Sequence, residues 1–169
     1  IRRQRQMCIR DRCLFLKICS EHGINAFGVE PNDMERKYAQ DNGLKILGAT
    51  IEDLNETHRN SVSHVTMWDV LEHISNPVRY LSEIRGAFPA LKAIFLQVPS
   101  SDSIAARILQ EKCKMFDGVE HLNLFSASSL ELSADKAGFS ISHLGSILPE
   151  TRILGNFLNY KDPYFGDFT

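Results

Sequence analysis

The sequence predicts an α/β fold, an open and mostly parallel sheet with helices on both faces. From Leu14 onward, segments with helical spacing alternate with short, mainly apolar ones, and parallel strands need crossover helices that cover both faces of the sheet. Residues that stop or cap helices stand at the junctions, so the alternation has defined boundaries.

Leu14 to His22 reads as a helix stopped by Gly23, because glycine takes the left-handed position that ends helices. Asn25 to Glu30 reads as a short buried strand. Asn32 then caps a helix from Asp33 to about Asp41, with Glu35 completing a capping-box-like arrangement and Gly43 ending it. Leu44 to Leu47 is a second strand, followed by the acidic turn Ile51-Glu52-Asp53-Leu54. A third, Val62 to Met67, runs into Trp68-Asp69-Val70-Leu71-Glu72-His73. Pro77 opens a helix in which Val78, Leu81, Ile84 and Phe88 recur near helical spacing and should face the sheet. Ala93 to Val98 is a fourth strand, stopped by Pro99. Ser126 caps a helix through Ala137, Gly138 stops it, and Phe139 to His143 alternates as a strand expected to run antiparallel. Ser100 to Val119, with Met115 and Phe116 before Asp117-Gly118, fits either a lid over a binding site or an amphipathic helix on the sheet edge. Tyr160 to Thr169 has no clear period.

The chain has 169 residues, 43% of them hydrophobic, enough for one core and too few for two ordinary domains. Its net charge is -2 and its 19 basic residues are scattered outside the first twelve positions, so nucleic acid is not an expected partner. Cysteines at 8, 13, 19 and 113 form no Cys-x-x-Cys pair, which suits a reducing cytoplasm. No apolar run approaches the ~18 residues that span a bilayer, so no membrane association is expected. Residues 1–12 carry five arginines without helical or strand periodicity. They resemble an adapter-derived peptide and are set aside as non-native, with a short basic arm as the alternative.

In an open α/β sheet, ligands sit outside the carboxyl ends of the strands. There the sequence places Glu30, then Glu52 with Asp53, then Trp68 with Asp69, then Pro99 with Ser100. A carboxylate at a strand end can accept hydrogen bonds from two adjacent ribose hydroxyls; a solvated acid is the plain alternative for Glu30. Glu52 or Asp53 can accept from an exocyclic adenine amine while Ile51 covers a ring face, or the segment is an ordinary polar turn.

The combined order is more specific than any piece. Phe27-Gly28-Val29-Glu30-Pro31, Trp68 to Pro77 with its Leu71-Glu72-His73-x-x-x-Pro77 element, Phe95 to Ser100, His121 to Ser126 and Ala137-Gly138-Phe139 together resemble class I S-adenosylmethionine-dependent methyltransferases, in particular their small-molecule methyltransferase-domain subgroup. The resemblance runs from about Leu14 to about Ile147. It implies a Rossmann-like sheet and S-adenosylmethionine as cofactor, with Glu30 and Pro31 at the ribose, Ile51, Glu52 and Asp53 at adenine, and Trp68 with Asp69 lining the pocket. It also implies a first strand and a Gly-x-Gly-x-Gly turn, where this sequence has Asp11-Arg12-Cys13-Leu14-Phe15-Leu16. The expectation is therefore a single partial domain over residues 13–169 that binds the cofactor poorly, because only glycine lets backbone approach a ligand that closely.

Methyl transfer is an in-line displacement in which the protein positions reactants and, for oxygen acceptors, supplies a base. His73 and His121 are the candidates, since histidine titrates near neutrality. For His73 the competing role, anchoring the loop before the Pro77 helix, is preferred; His121 serves catalysis or anchors its own loop. His22, His58, His64 and His143 have no partner spacing. No metal is expected: Asp69, Glu72 and His73 are ligand types within five residues, but no second cluster at ligand spacing accompanies them. The implied partner is a small-molecule acceptor with a hydroxyl or amine. The alternatives are a non-catalytic binding module of the same fold and a nicotinamide-dinucleotide oxidoreductase, since an acid after the second strand of such a sheet serves that cofactor too.

Overall fold

The computed structural model describes residues 14–146, 151–159, 161 and 164. The chain forms two compact units, one reaching to Ser63 and including Ala87–Ala90, the other formed by His64–Gly86 and the chain from Leu91 onward. Residues 11–13, part of the stretch aligned with the glycine turn, lie outside the described residues.

In the first unit, α1 (Leu14–Glu21), β1 (Gly28–Val29), α2 (Asp33–Asp41), β2 (Ile46–Gly48), a 3₁₀ turn (Ile51–Asp53) and α3 (Glu56–Ser61) follow one another. β1 and β2 pair in parallel, Gly28 opposite Ile46 and Val29 opposite Gly48, with a register shift between the two pairs. Leu16 of α1 lies over this pair: a Cβ at Gly28 would come within 3.1 Å of its Cδ1 and 3.0 Å of Ile46 Cδ1. Gly28 therefore serves close helix–strand packing. Cys19, Ala39, Ile46 and Leu54 are buried.

Local signals set the helix ends. Asn32 accepts the N–H groups of Met34 and Glu35 as an N-cap. The reciprocal half of the expected capping box comes from Glu30 instead of Glu35: the Asn32 N–H donates to Glu30 Oε1 at 2.8 Å. At the C-terminus of α2, Gly43 (φ +73) and Leu44 donate to the carbonyls of Gln40 and Ala39, the paired Schellman bonds that need a left-handed residue. α1 closes in the same way at Gly23 and Ile24.

The second unit holds β3 (His64–Trp68), a 3₁₀ turn (Leu71–His73), α4 (Pro77–Ala87), β4 (Ala93–Gln97), α5 (Ile104–Leu109), 3₁₀ turns at Gln110–Lys112 and Lys114–Phe116, α6 (Ala127–Lys136) and α7 (Thr151–Leu158). The last residue of α4 belongs to the first unit. β3 and β4 are parallel and in register from His64–Ala93 to Trp68–Gln97. Of the expected helical stripe, Leu81 and Ile84 are buried and Val78 is half-buried; Phe88, also buried, follows α4 in the first unit. Phe95, by contrast, is 53% exposed and stacks on His64. Ala105, Ala106, Leu109, Cys113 and Met115 form a buried cluster with Leu154, Phe157 and Tyr164 packed against it. The Ser100–Val119 segment thus packs on α7, an arrangement neither sequence reading contained.

Among the described residues the strands form two separate two-stranded parallel pairs. Two expectations are corrected. β1 is shorter than Asn25–Glu30 because the register shift leaves only two residues laddered. The antiparallel strand at Phe139–His143 does not form. Gly138 (φ +81) and Phe139 instead donate to Asp135 and Ala134 to close α6, so the strand's first residue is spent on a helix cap. α7, absent from the sequence reading, carries Gly155 and Asn156 in its interior, both poor helix formers, and is held by packing of Leu154 and Phe157. No helix of the described residues is long and apolar enough to cross a membrane.

Candidate functional site

Within the first unit, the sequence-predicted acids share one edge of the β1–β2 pair. Glu30 directly follows β1, and its N–H donates to Gly48 O at 3.0 Å, continuing the ladder to the end of β2. Pro31 links it to the Asn32 cap. The Glu30 carboxylate is half-buried, and burial raises its pKa above the usual 4.5, opposed by the Asn32 N–H and Arg36. Arg36 fixes the strand end by donating to Glu30 O at 2.6 Å while pairing with Asp33.

The acidic turn at the same edge is internally braced. Asp53 Oδ2 accepts the N–H groups of Ala49 at 2.7 Å and Thr50 at 3.0 Å. Those bonds hold its carboxyl below the usual 3.8. Glu52 is exposed, with its carboxyl lowered by the Thr50 hydroxyl. Arg59, which the sequence reading passed over, ties the turn from α3: its Nε donates to Leu54 O at 2.9 Å and its Nη2 to Glu52 O at 3.0 Å and Ile51 O at 3.3 Å. This edge thus offers one half-buried acid at a strand end and a second, exposed acid on a rigid turn beside Ile51. Those are the acceptors and apolar cover that a nucleoside requires. Asp53 is largely occupied in shaping the turn.

Within the second unit, Trp68 ends β3 opposite Gln97, and Asp69 follows in the left-handed region (φ +52). A non-glycine residue there is costly and typical of functional turns. The Asp69 N–H donates to Gln97 O at 3.0 Å, and Gln97 Nε2 reaches Asp69 Oδ1 at 3.4 Å. The chain then enters the Leu71–His73 turn.

Here the fold joins motif pieces far apart in sequence. Leu122 and Asn123 both donate their N–H groups to Glu72 O, at 2.9 and 3.0 Å, and Asn123 Nδ2 donates to Ile74 O at 2.6 Å. His73 Nδ1 lies 2.7 Å from Glu120 O. A carbonyl only accepts, so Nδ1 carries the proton and, in the neutral ring, Nε2 keeps its lone pair. His73 thus ties the loop before α4 to the Glu120 carbonyl. The His73 and His121 rings stack with centroids 5.1 Å apart and an interplanar angle of 25°. Both predicted histidines therefore belong to one site.

Beside them stands Glu72, whose side chain is 1% exposed and whose two carboxylate oxygens have no hydrogen-bond partner. Oε1 lies 3.7 Å from His73 Nε2. Burial pushes its pKa up to about 7. His121 is 7% exposed, and neither of its ring nitrogens has a hydrogen-bond partner; Asp117 Oδ2 stands 3.4 Å from Nδ1. Asp117 Oδ1 in turn accepts the N–H groups of Val119, Glu120 and His121, holding the loop in place. Proton transfer through imidazole and ligation of a cation are both within this cluster's chemistry.

No curated protein matches the sequence. A family model described as a methyltransferase domain matches residues 11–144, most of the chain and every candidate residue described above. On that match the chain belongs to the methyltransferase-domain family.

Proposed function

We propose that this domain transfers a methyl group from S-adenosylmethionine to a small-molecule acceptor, with the present chain binding the cofactor poorly because Asp11-Arg12-Cys13-Leu14-Phe15-Leu16 stands where the family carries its glycine turn. The observation that carries the reading is the methyltransferase-domain match over residues 11–144, and the acids at the β1–β2 edge support a nucleoside there. Glu30 would accept from the ribose hydroxyls, with Pro31 fixing the turn behind it. Glu52 would accept from the adenine amine and Ile51 would cover the ring, while Asp53 keeps the turn rigid. The resemblance gives Trp68 and Asp69 the lining of the methyl-transfer pocket. The bound cofactor supplies an electrophilic methyl group on a sulfonium. The chain's own residues orient the acceptor and take its proton: His73, with Nδ1–H held by Glu120 O, presents Nε2 as a base. His121, stacked against it, takes the same role or orients the acceptor.

Calorimetric titration of S-adenosylhomocysteine tests the reading. Binding by the full chain that falls at least ~10-fold in Glu30→Ala supports it, that being the scale of one lost pair of charge-assisted hydrogen bonds. Weak or absent binding by this chain, recovered when a family-like first strand and glycine turn replace residues 1–13, also fits the reading; if neither protein binds while both fold, the reading loses its main support and the non-catalytic binding module comes first.

A further inference from the structure

We propose that Glu72, His73 and His121 form a binding site for one divalent transition-metal ion, of the zinc class by donor chemistry. The proposal rests on this cluster alone and does not need methyl transfer to be the reaction; with the ion bound, His73 Nε2 is a ligand and no longer a base, so that catalytic role belongs to the ion-free chain.

Four observations converge. One ligand atom from each of the three side chains lies within 4.8 Å of the others. Donors about 2.0–2.2 Å from a shared tetrahedral ion stand roughly 3.4 Å apart, so binding draws the donors in and turns the His73 and His121 rings out of their 25° stack until their in-plane lone pairs converge. Second, Glu72 buries its carboxyl group with neither oxygen hydrogen-bonded, Oε1 standing 3.7 Å from His73 Nε2, whereas buried polar groups are normally hydrogen-bonded or bound to a metal. Third, His121 is 7% exposed with both ring nitrogens unpartnered, an unusual deficit for a buried imidazole.

The fourth is the surroundings. Metal-bound histidines characteristically donate their other N–H to a backbone carbonyl or carboxylate. His73 does so to Glu120 O, leaving Nε2 on the side of Glu72. His121 has Asp117 Oδ2 3.4 Å from Nδ1, an acceptor in place for that N–H when Nε2 takes the ion. The sequence-level objection to a metal was the lack of a second ligand cluster near Asp69-Glu72-His73. The fold supplies the missing donor from His121, brought in by the bonds of Leu122 and Asn123 to Glu72 O.

Two imidazoles and one carboxylate form a neutral-nitrogen and oxygen donor set that suits zinc, cobalt or ferrous ions better than magnesium or calcium. Three protein ligands leave a tetrahedral ion one open position, for water or an oxygen or nitrogen of a small molecule. His73 is the most exposed of the three side chains, at 23%, so the site opens on its side.

The test uses Zn2+ and Co2+ alone on the metal-stripped full chain. Zn2+ competition against a chromophoric chelator should give one ion per chain, with affinity falling by more than ~10-fold in Glu72→Gln and in His121→Ala, and unchanged in the control His143→Ala. Co2+ gives a readout without variants: the visible bands of a tetrahedral nitrogen–oxygen site, with no sulfur-to-cobalt charge-transfer band. Three results overturn the proposal: no stoichiometric ion in the folded wild type, wild-type affinity in folded Glu72→Gln and His121→Ala, or a thiolate band placing the ion on a cysteine.

Discussion

Asp53 closes its own turn, taking two backbone N–H groups on one carboxylate oxygen, and this sets a dependence on pH. Its folded pKa lies below the ordinary 3.8, so its contribution is fully present above that value and is lost as pH falls through the folded pKa. Asp53→Asn keeps an acceptor and removes the charge. Urea midpoints measured from about pH 6 downward should differ between wild type and variant at the upper end, begin to approach each other below the unfolded carboxylate value and converge as pH falls through the folded one. Gly48 answers to the same side chain. A Cβ there would collide with the Asp53 Cβ and approach Oδ2 at 2.8 Å. Gly48→Ala should cost about 1–3 kcal/mol in denaturant unfolding, the range for overpacking a tight contact. At this scale the sequence pointed to the acidic turn but did not separate its acids. Which carboxylate folds back depends on backbone geometry at Ala49 and Thr50, and the Arg59 brace depends on where α3 lies.

Between elements, Asn123 joins the Leu71–His73 turn to the loop carrying His121. Asn123→Ala removes the Nδ2 bond to Ile74 O and leaves a half-buried carbonyl unmatched. A loss of about 1–3 kcal/mol is expected, measured by chemical denaturation. Helix ends were legible because their signals are local: Asn32, Ser126, Gly23, Gly43 and Gly138 act as the sequence predicts. Strands were less so, because a ladder needs a partner that no local window contains. Phe139–His143 alternates like a strand, yet its first residue is taken by the cap of α6. α7 was missed because Gly155 and Asn156 weaken its propensity, while the cluster that holds it comes from α5 and the turns after it.

Over the whole molecule, the two parallel pairs differ in how much ladder they contain. β3 and β4 align five residues each without a shift, whereas β1 contributes two residues across an irregular register. Short two-stranded pairs are marginal by themselves, so native-state hydrogen exchange should show slower amides in β3 and β4 than in β1 and β2. Equal protection would count against that ranking. The pairing of His73 with His121 belongs to this scale as well. Each histidine was identifiable from its motif, but nothing short of the fold brings positions so distant in sequence into ring contact, and Glu72 drew notice only as a local ligand type.

The hydrogen bond from His73 Nδ1 to Glu120 O has a consequence for how this site tolerates sequence drift. Its acceptor is main chain, so replacing the Glu120 side chain does not delete it. The protonation geometry of His73 is carried by the path of the backbone, and descendants that exchange residue 120 freely would inherit the same imidazole tautomer as long as the loop keeps its course.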